Sequence, residues 1–467
     1  MKQLITVDKE KCVNCHQCIA VCPVKFANNG SDEFVTINHE LCIGCGECIK
    51  ACTHSARGYI DDMETVLALL KIQTPTIAIA APAVASNFDN QALNLNGWLQ
   101  TLGIDAFFDV SFGAELTVKS YLEYATQQNP RTIIAQPCPA IVTYIETYQP
   151  ELLKWLAPID SPMMHTIKMI REFYPEYKDH KIMVVSPCIA KEREFEETTS
   201  GVYNVTISKL VEYITDHAID LSNFPPIDYL NPKAGLAAGF STPGGLLETV
   251  ADRMPKLRNK IRKIEGPKLA YEYLKTVEKQ VQKGNTPLII DILNCENGCN
   301  GGTGTCMQEA APDELEAKIA DRINTLQKSD EDRELLLQSI DEHWQPNLYD
   351  REYTIKTENY AQLRNPNEAE LNQIMLDMHK TQPEHILNCA ACGYNDCKTM
   401  CKAIYNGLNK KENCHFYLQK EMEEIHNNLD KLVKEKTHEA NRQKEEIVTL
   451  ADDLLNFMKH MHTIIEN

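Results

Sequence analysis

The stretch PLIIDILNCENGCNGGTG, residues 287–304, decides the fold. It opens with an apolar run, Pro287–Leu293, of strand length, and passes directly into Cys295, Cys299 and a glycine-rich turn. The same design occurs twice upstream, where Thr132–Ala135 leads into Pro137-Cys138-Pro139 and Lys181–Ser186 into Pro187-Cys188. Thr76–Ala81 and Ala106–Val110 are further short apolar runs, and amphipathic helical stretches lie between them. Such alternation predicts a parallel α/β sheet. Ligands of these folds gather beyond the carboxyl ends of the strands, so Cys138, Cys188, Cys295 and Cys299 are expected to share one pocket. A single cysteine of this kind would be a packed thiol; four at equivalent strand ends point to a site.

The chain has 467 residues, 18 cysteines and a formal charge of −19. That length holds more than one domain. The opening MKQLITVDKE has no apolar signal core, so the thiols read as metal ligands in a reducing cytosol rather than as disulfides, and a cytoplasmic location is expected. No run of eighteen apolar residues occurs, so no membrane span is expected, and the acidic charge repels nucleic acid.

Cys12, Cys15, Cys18 and Cys22 repeat as Cys42, Cys45, Cys48 and Cys52, both with spacing C-x2-C-x2-C-x3-C; Pro23 follows the first run and Thr53 the second. Three close thiolates hold one face of a cubane while the fourth reaches the other cluster. One 4Fe-4S cluster is therefore expected on Cys12, Cys15, Cys18 and Cys52, and another on Cys42, Cys45, Cys48 and Cys22. Paired zinc sites need two separated pairs of ligands, which this rhythm does not offer. The segment resembles bacterial two-cluster ferredoxins, which pass single electrons.

The central segment resembles the catalytic domain of iron-only (FeFe) hydrogenases. The matches are Phe112-Gly-Ala-Glu-Leu-Thr117, Pro137-Cys-Pro-Ala140, Ser186-Pro-Cys-Ile-Ala-Lys191 with Glu194, Ser241-Thr-Pro-Gly-Gly-Leu-Leu-Glu248 and Cys295 through Gly304. The resemblance implies a 4Fe-4S cluster on Cys138, Cys188, Cys295 and Cys299. It also implies a di-iron unit with carbonyl, cyanide and azadithiolate, bridged through Cys299, at which dihydrogen is split or formed. Lys191 would hydrogen-bond an iron-bound cyanide; without the motif it would read as a solvated surface lysine. The glycines after Cys299 would let the backbone close around a compact group.

Departures from the family pattern concern the proton. The fast enzymes place a proton-relaying cysteine where this chain has Pro137, and methionines where it has Ser186 and Leu293. Their relay glutamates downstream of Thr117 are replaced by Ser120, Tyr121 and Tyr124, with Glu123 out of register. A broken relay predicts slow turnover, since general acid–base steps contribute about 10²–10⁴-fold. Glu115, Glu194 and Glu248 are candidate carriers. The resemblance is therefore to the sensory branch of the family. The alternatives are a metabolic hydrogenase and a cluster-only electron carrier or assembly factor.

Cys389, Cys392, Cys397 and the distant Cys414 resemble the ligands of a small single-cluster 4Fe-4S domain; a zinc site is the rival. Cys306 and Cys401 read as packed thiols or substitute ligands. Beyond Cys414, Leu418, Met422, Ile425, Leu429 and Leu432, then Ile447, Leu450, Leu454, Met458 and Met461, form stripes that fit a coiled coil, interrupted over 434–446, with a helical hairpin or a stripe packed on its own core as the other reading. A coiled coil would give a homodimer or dock a signalling or redox partner.

The expected architecture is thus an α+β ferredoxin-like domain (residues 1–60), an α/β catalytic core (61–370), a small cluster domain (371–418) and a helical tail (419–467).

Overall fold

A computed structural model describes residues 1–326 and 329–465. The chain forms two compact units, Met1–Arg364 and Asn365–Asn467.

The first unit begins with four short strands, β1 (Ile5–Val7), β2 (Asn28–Asn29), β3 (Thr36–Ile37) and β4 (Arg57–Tyr59), paired antiparallel as β1 with β4 and β2 with β3. Each cysteine run carries a short helix, Gln17–Val21 in the first and Glu47–Lys50 in the second.

Seven strands follow: β5 (Thr76–Ala80), β6 (Phe107–Asp109), β7 (Ile133–Ile134), β8 (Lys181–Ser186), β9 (Val202–Thr206), β10 (Ile261–Glu265) and β11 (Ile289–Leu293). They form not one sheet but two, both parallel, ordered β6-β5-β8-β9 and β10-β11-β7. The division was hidden because β9 and β10 carry polar residues: the edge strand β10 reads IRKIE and exposes Arg262 and Lys263.

The apolar runs of the central strands follow from burial on both faces. In β5, Ile77 and Ile79 pack with Phe112, Leu116 and Ile167, whereas Ala78 and Ala80 pack with Val66, Leu70 and Trp98. The period of two sends alternate residues into two separate cores.

In the second unit, helices Glu368–Asp377 and Cys397–Tyr405 precede one helix of 51 residues, His415–Ile465. At 1.5 Å per residue it is about 76 Å long. The polar stretch does not break it into a hairpin. That stretch has no Gly or Pro and is stitched by Lys436–Glu439 (2.8 Å) and Arg442–Glu446 (3.7 Å). Leu418, Met422, Ile425, Leu429 and Leu432 are all exposed along it.

Candidate active site and metal centres

Three strands deliver the central thiols. Cys138 follows β7, Cys295 follows β11 and Cys188 follows β8, so the set straddles both parallel sheets. All four cysteines line a single cavity of about 80 Å³, together with Pro137, Met163, Lys191, Asp291 and Leu293. Burial pushes the Cys299 thiol up to about 12 and that of Cys188 up to about 11, reinforced by the neighbouring thiols and opposed by the Lys191 ammonium. Burial and its three sulfur neighbours hold Cys295 well above the ordinary thiol value. Four crowded, buried sulfurs become thiolates together when metal supplies compensating positive charge, so this donor set fits an iron–sulfur group.

Glycines shape the wall: Gly298 and Gly302 line the cavity, and the run is also pressed against protein. A Cβ on Gly302 would lie 2.4 Å from the Pro187 carbonyl oxygen, and Gly304 donates to the same oxygen at 2.8 Å. The glycine run thus lets the Cys299 and Cys188 turns press together.

Lys191 is 5% exposed and donates to Glu194, whose other oxygen accepts from Arg351 at 2.6 Å. Burial would raise the Glu194 carboxyl, but Lys191 and Arg351 outweigh it and hold the group below its usual range. The other candidate carriers have structural partners. Glu115 accepts from Gly235 N (2.9 Å), Ala237 N (3.0 Å) and Arg253 (2.7 Å), and exposed Glu248 pairs with Arg258. Ser120 is bonded to His165 (3.0 Å) and Trp344 (2.9 Å), and Tyr121 donates to Gln136. Ser186 does not line the cavity; its hydroxyl caps the Cys188 turn, accepting from Cys188 N at 3.1 Å.

The sequence reading passed over Asp291, although an acid inside the run PLIIDIL of a central strand was its visible signal. Asp291 is 3% exposed and lines the cavity, and its Oδ2 has no hydrogen-bond partner. Burial, with Glu265 nearby on β10, raises its carboxyl to about 7. Glu265 is itself raised by burial, leaves Oε1 without a partner and lies 3.6 Å from Lys263, which is half exposed. A line of carboxylates therefore leads from the cavity toward the surface.

The N-terminal thiols form two groups. Cys42, Cys45 and Cys48 surround Cys22, and Cys18 lies with Cys12 and Cys15. His54, two residues beyond Cys52, lies 4.0 Å from Cys15 Sγ, bringing the end of the second run to the first. The group around Cys22 lies against the glycine run that follows Cys299. A Cβ on Gly46 would lie 2.4 Å from Thr303 in the glycine run, and buried Arg193 donates to the Cys42 and His39 carbonyls. Tyr271 lies between the two sets, raised by burial and then by Cys45, Cys138 and Cys295, and donates to Asn294 at 2.7 Å.

In the second unit, Cys392 neighbours Cys414 and Cys389. Cys401, fully buried, neighbours Cys397, Cys414 and Cys392 and is a fifth thiol of that set. Cys306 is exposed.

Comparison with known proteins places this geometry. Residues 4–64 match the 4Fe-4S dicluster domain, and residues 74–303 match the C-terminal domain of the iron only hydrogenase large subunit. This central segment is similar to the catalytic domain of FeFe hydrogenases. The FeFe hydrogenase relatives include Iron hydrogenase 1 of Clostridium pasteurianum, 29% identical over 52% of this chain and 50% of that one. The large subunit of a periplasmic [Fe] hydrogenase from Nitratidesulfovibrio vulgaris is 28% identical over 67% of this chain and 88% of that one. A solved [FeFe]-hydrogenase HydA1 from Chlamydomonas reinhardtii is similar at 16% identity and a TM-score of 0.49, covering 64% of this chain and all of that one. The chain spans half the length of the clostridial relative. Among the described residues no helix is long and apolar enough to cross a membrane.

Proposed function

We propose that this FeFe hydrogenase-family protein reports hydrogen: it converts dihydrogen and protons slowly at the cavity and passes the electrons through iron–sulfur clusters to a signalling partner. The observation that carries the reading is a cavity holding four cysteines whose usual proton entrance is closed by Pro137 and by the fully bonded Ser120, Tyr121 and Glu115. Cys138, Cys188, Cys295 and Cys299 would hold the 4Fe-4S cluster, with Cys299 shared with a di-iron unit. When bound, that unit supplies the redox chemistry that cleaves or forms the H–H bond. Lys191 brings an ammonium to the wall and is held in place by Glu194. Apolar Met163 and Leu293 exclude water. Asp291 Oδ2 holds or releases a proton, which Glu265 hands outward. The Cys22 group receives electrons across Tyr271 and Thr303.

Infrared spectroscopy of anaerobically matured protein, with and without hydrogen, tests this beside a turnover assay. Carbonyl and cyanide bands that shift with hydrogen while turnover stays slow support it. Absence of such bands after competent maturation removes the hydrogenase assignment, and turnover at the rate of metabolic enzymes removes the reporting role. Replacement Pro137→Cys is expected to raise turnover by about 10²-fold, the lower end of the range of about 10²–10⁴-fold for one acid–base step; no change in the rate would place the bottleneck elsewhere.

A metabolic hydrogenase is the second reading, favoured by the Asp291–Glu265 line, which offers a proton route of its own. The exposed 3,4-spaced stripe of His415–Ile465 fits a parallel homodimer. Sedimentation should then give a dimer for the whole chain and a monomer for a version ending near Leu418; a dimer in both would remove the tail from the interface.

A further inference from the structure

The internal repeat exposes an asymmetry. Five residues after the last cysteine of the first run stands Ala27, and five after the last cysteine of the second stands Arg57. Ala27 is buried beside Cys22, Cys42 and Cys45. Arg57 is 6% exposed and donates from Nη2 to Cys18 Sγ at 3.1 Å, to the Val35 carbonyl at 3.2 Å and to Asn28 Oδ1 at 3.4 Å. Its Nη1 has no hydrogen-bond partner. Among the described residues no carboxylate forms an ion pair with it, although Arg193, the other large buried arginine of this region, is likewise satisfied by carbonyls alone. Of these two arginines, Arg57 is the one that donates to a sulfur.

An arginine keeps its charge when buried, and an uncompensated buried charge is costly. The groups around Arg57 that can carry negative charge are thiols. Cys18 is bonded to it, and its field also reaches Cys48 in the other set. A cubane held by four thiolates is net negative and gains one more negative charge on reduction, so a fixed cation at its sulfur favours the reduced form.

We propose that Arg57 is the counter-cation of the first N-terminal cluster, the one on Cys12, Cys15, Cys18 and Cys52, and raises its reduction potential above that of the second. This rests on the iron–sulfur reading of residues 4–64 and not on the hydrogen chemistry. The step is one electron into the oxidised cubane, with no bond made or broken and no proton taken up. Electrons that reach the inner cluster, beside the glycine run, then run outward to the cluster whose Cys15 is exposed, and rest there. Ala27, at the equivalent place, puts no cation on a sulfur of the inner cluster; Lys25, whose field reaches Cys22, donates its ammonium to the Ile19 and Ala20 carbonyls instead.

The test uses the full chain reconstituted with iron and sulfide, titrated with dithionite and followed by electron paramagnetic resonance; no di-iron unit is needed, so the result reads the same if the hydrogenase assignment fails. In Arg57→Gln the reduction equilibrium of the first cluster is expected to fall at least tenfold, about 59 mV for a one-electron couple, while the second, which Arg57 reaches only through its field at Cys48, moves less. Arg57→Lys, which keeps the charge, should recover most of the shift. A full complement of clusters in Arg57→Gln with every potential unmoved overturns the proposal. Should that variant fail to hold its cluster, unmutated protein labelled with ¹⁵N-arginine decides. The first cluster to be reduced is expected to show hyperfine coupling to the label, and its absence overturns the proposal.

Discussion

Asp291→Asn is expected to lower hydrogen turnover of the matured protein by about 10²–10⁴-fold, the contribution of one acid–base step. The carboxyl lines the cavity, and burial together with Glu265 raises it to about 7, where it gives and takes a proton with equal ease. Lys263 on β10 opposes the rise, and Tyr121 on the helix Val110–Gln128 and Cys299 are the other titratable groups that sense it. Hydrogen oxidation needs the carboxylate as base, so its rate should climb as pH passes through about 7, and proton reduction should climb in the opposite direction. The asparagine variant should lose both limbs while keeping its infrared bands, which separates proton delivery from cofactor loading. Stability supplies a second sign. A raised carboxyl in the folded state costs stability as pH rises from about 4 to about 7, so the wild type should weaken over that window and the variant should not. An unchanged pH–rate profile would exclude Asp291 from the route.

Glu194→Gln is expected to cost about 3–5 kcal/mol of stability at neutral pH, the penalty for breaking a buried ion pair on one side. The carboxylate is 1% exposed and serves two buried cations, Lys191 and Arg351. Glutamine keeps the shape but removes the carboxylate paired with both cations, leaving Arg351 only the fields of Asp160 and Glu146. Since Glu194 is held below its usual range, the stabilisation is present above the unfolded-state value near 4.3 and is lost as pH falls through the lower folded value. The gap between wild type and variant in urea unfolding should therefore close in acid. A gap of less than about 1 kcal/mol at neutral pH would mean that Lys191 and Arg351 find other partners.

The grouping of the thiols was legible because it is written in spacing. Cysteines at strand ends and in two equal runs are local patterns, and local patterns survive without coordinates. The strands Lys181–Ser186 and Pro287–Leu293 were visible for the same reason, being continuous apolar runs. Pairing was not visible. That β11 lies between β10 and β7 depends on a polar edge strand whose neighbours are distant in sequence. Partner choice was hidden too: Glu115 looked like a carrier until its two backbone donors and Arg253 were in view, and Ser186 looked like a cofactor neighbour until its hydroxyl was found on the Cys188 backbone. Asp291 shows the reverse, a local signal that an apolar reading of its strand absorbed.

The division of the thiols between two sheets bears on how the protein matures. Cys188 belongs to the β6-β5-β8-β9 sheet, whereas Cys138 and Cys295 belong to β10-β11-β7. Among the described residues no ladder of backbone bonds joins the two sheets. A metal group bound at those sulfurs is therefore a rivet across a seam, and iron-free protein retains the seam without the rivet. Heating the iron-free chain should unzip the two halves in separate steps that merge into one after loading, and proteases should cut the empty form near the turns that carry the cysteines.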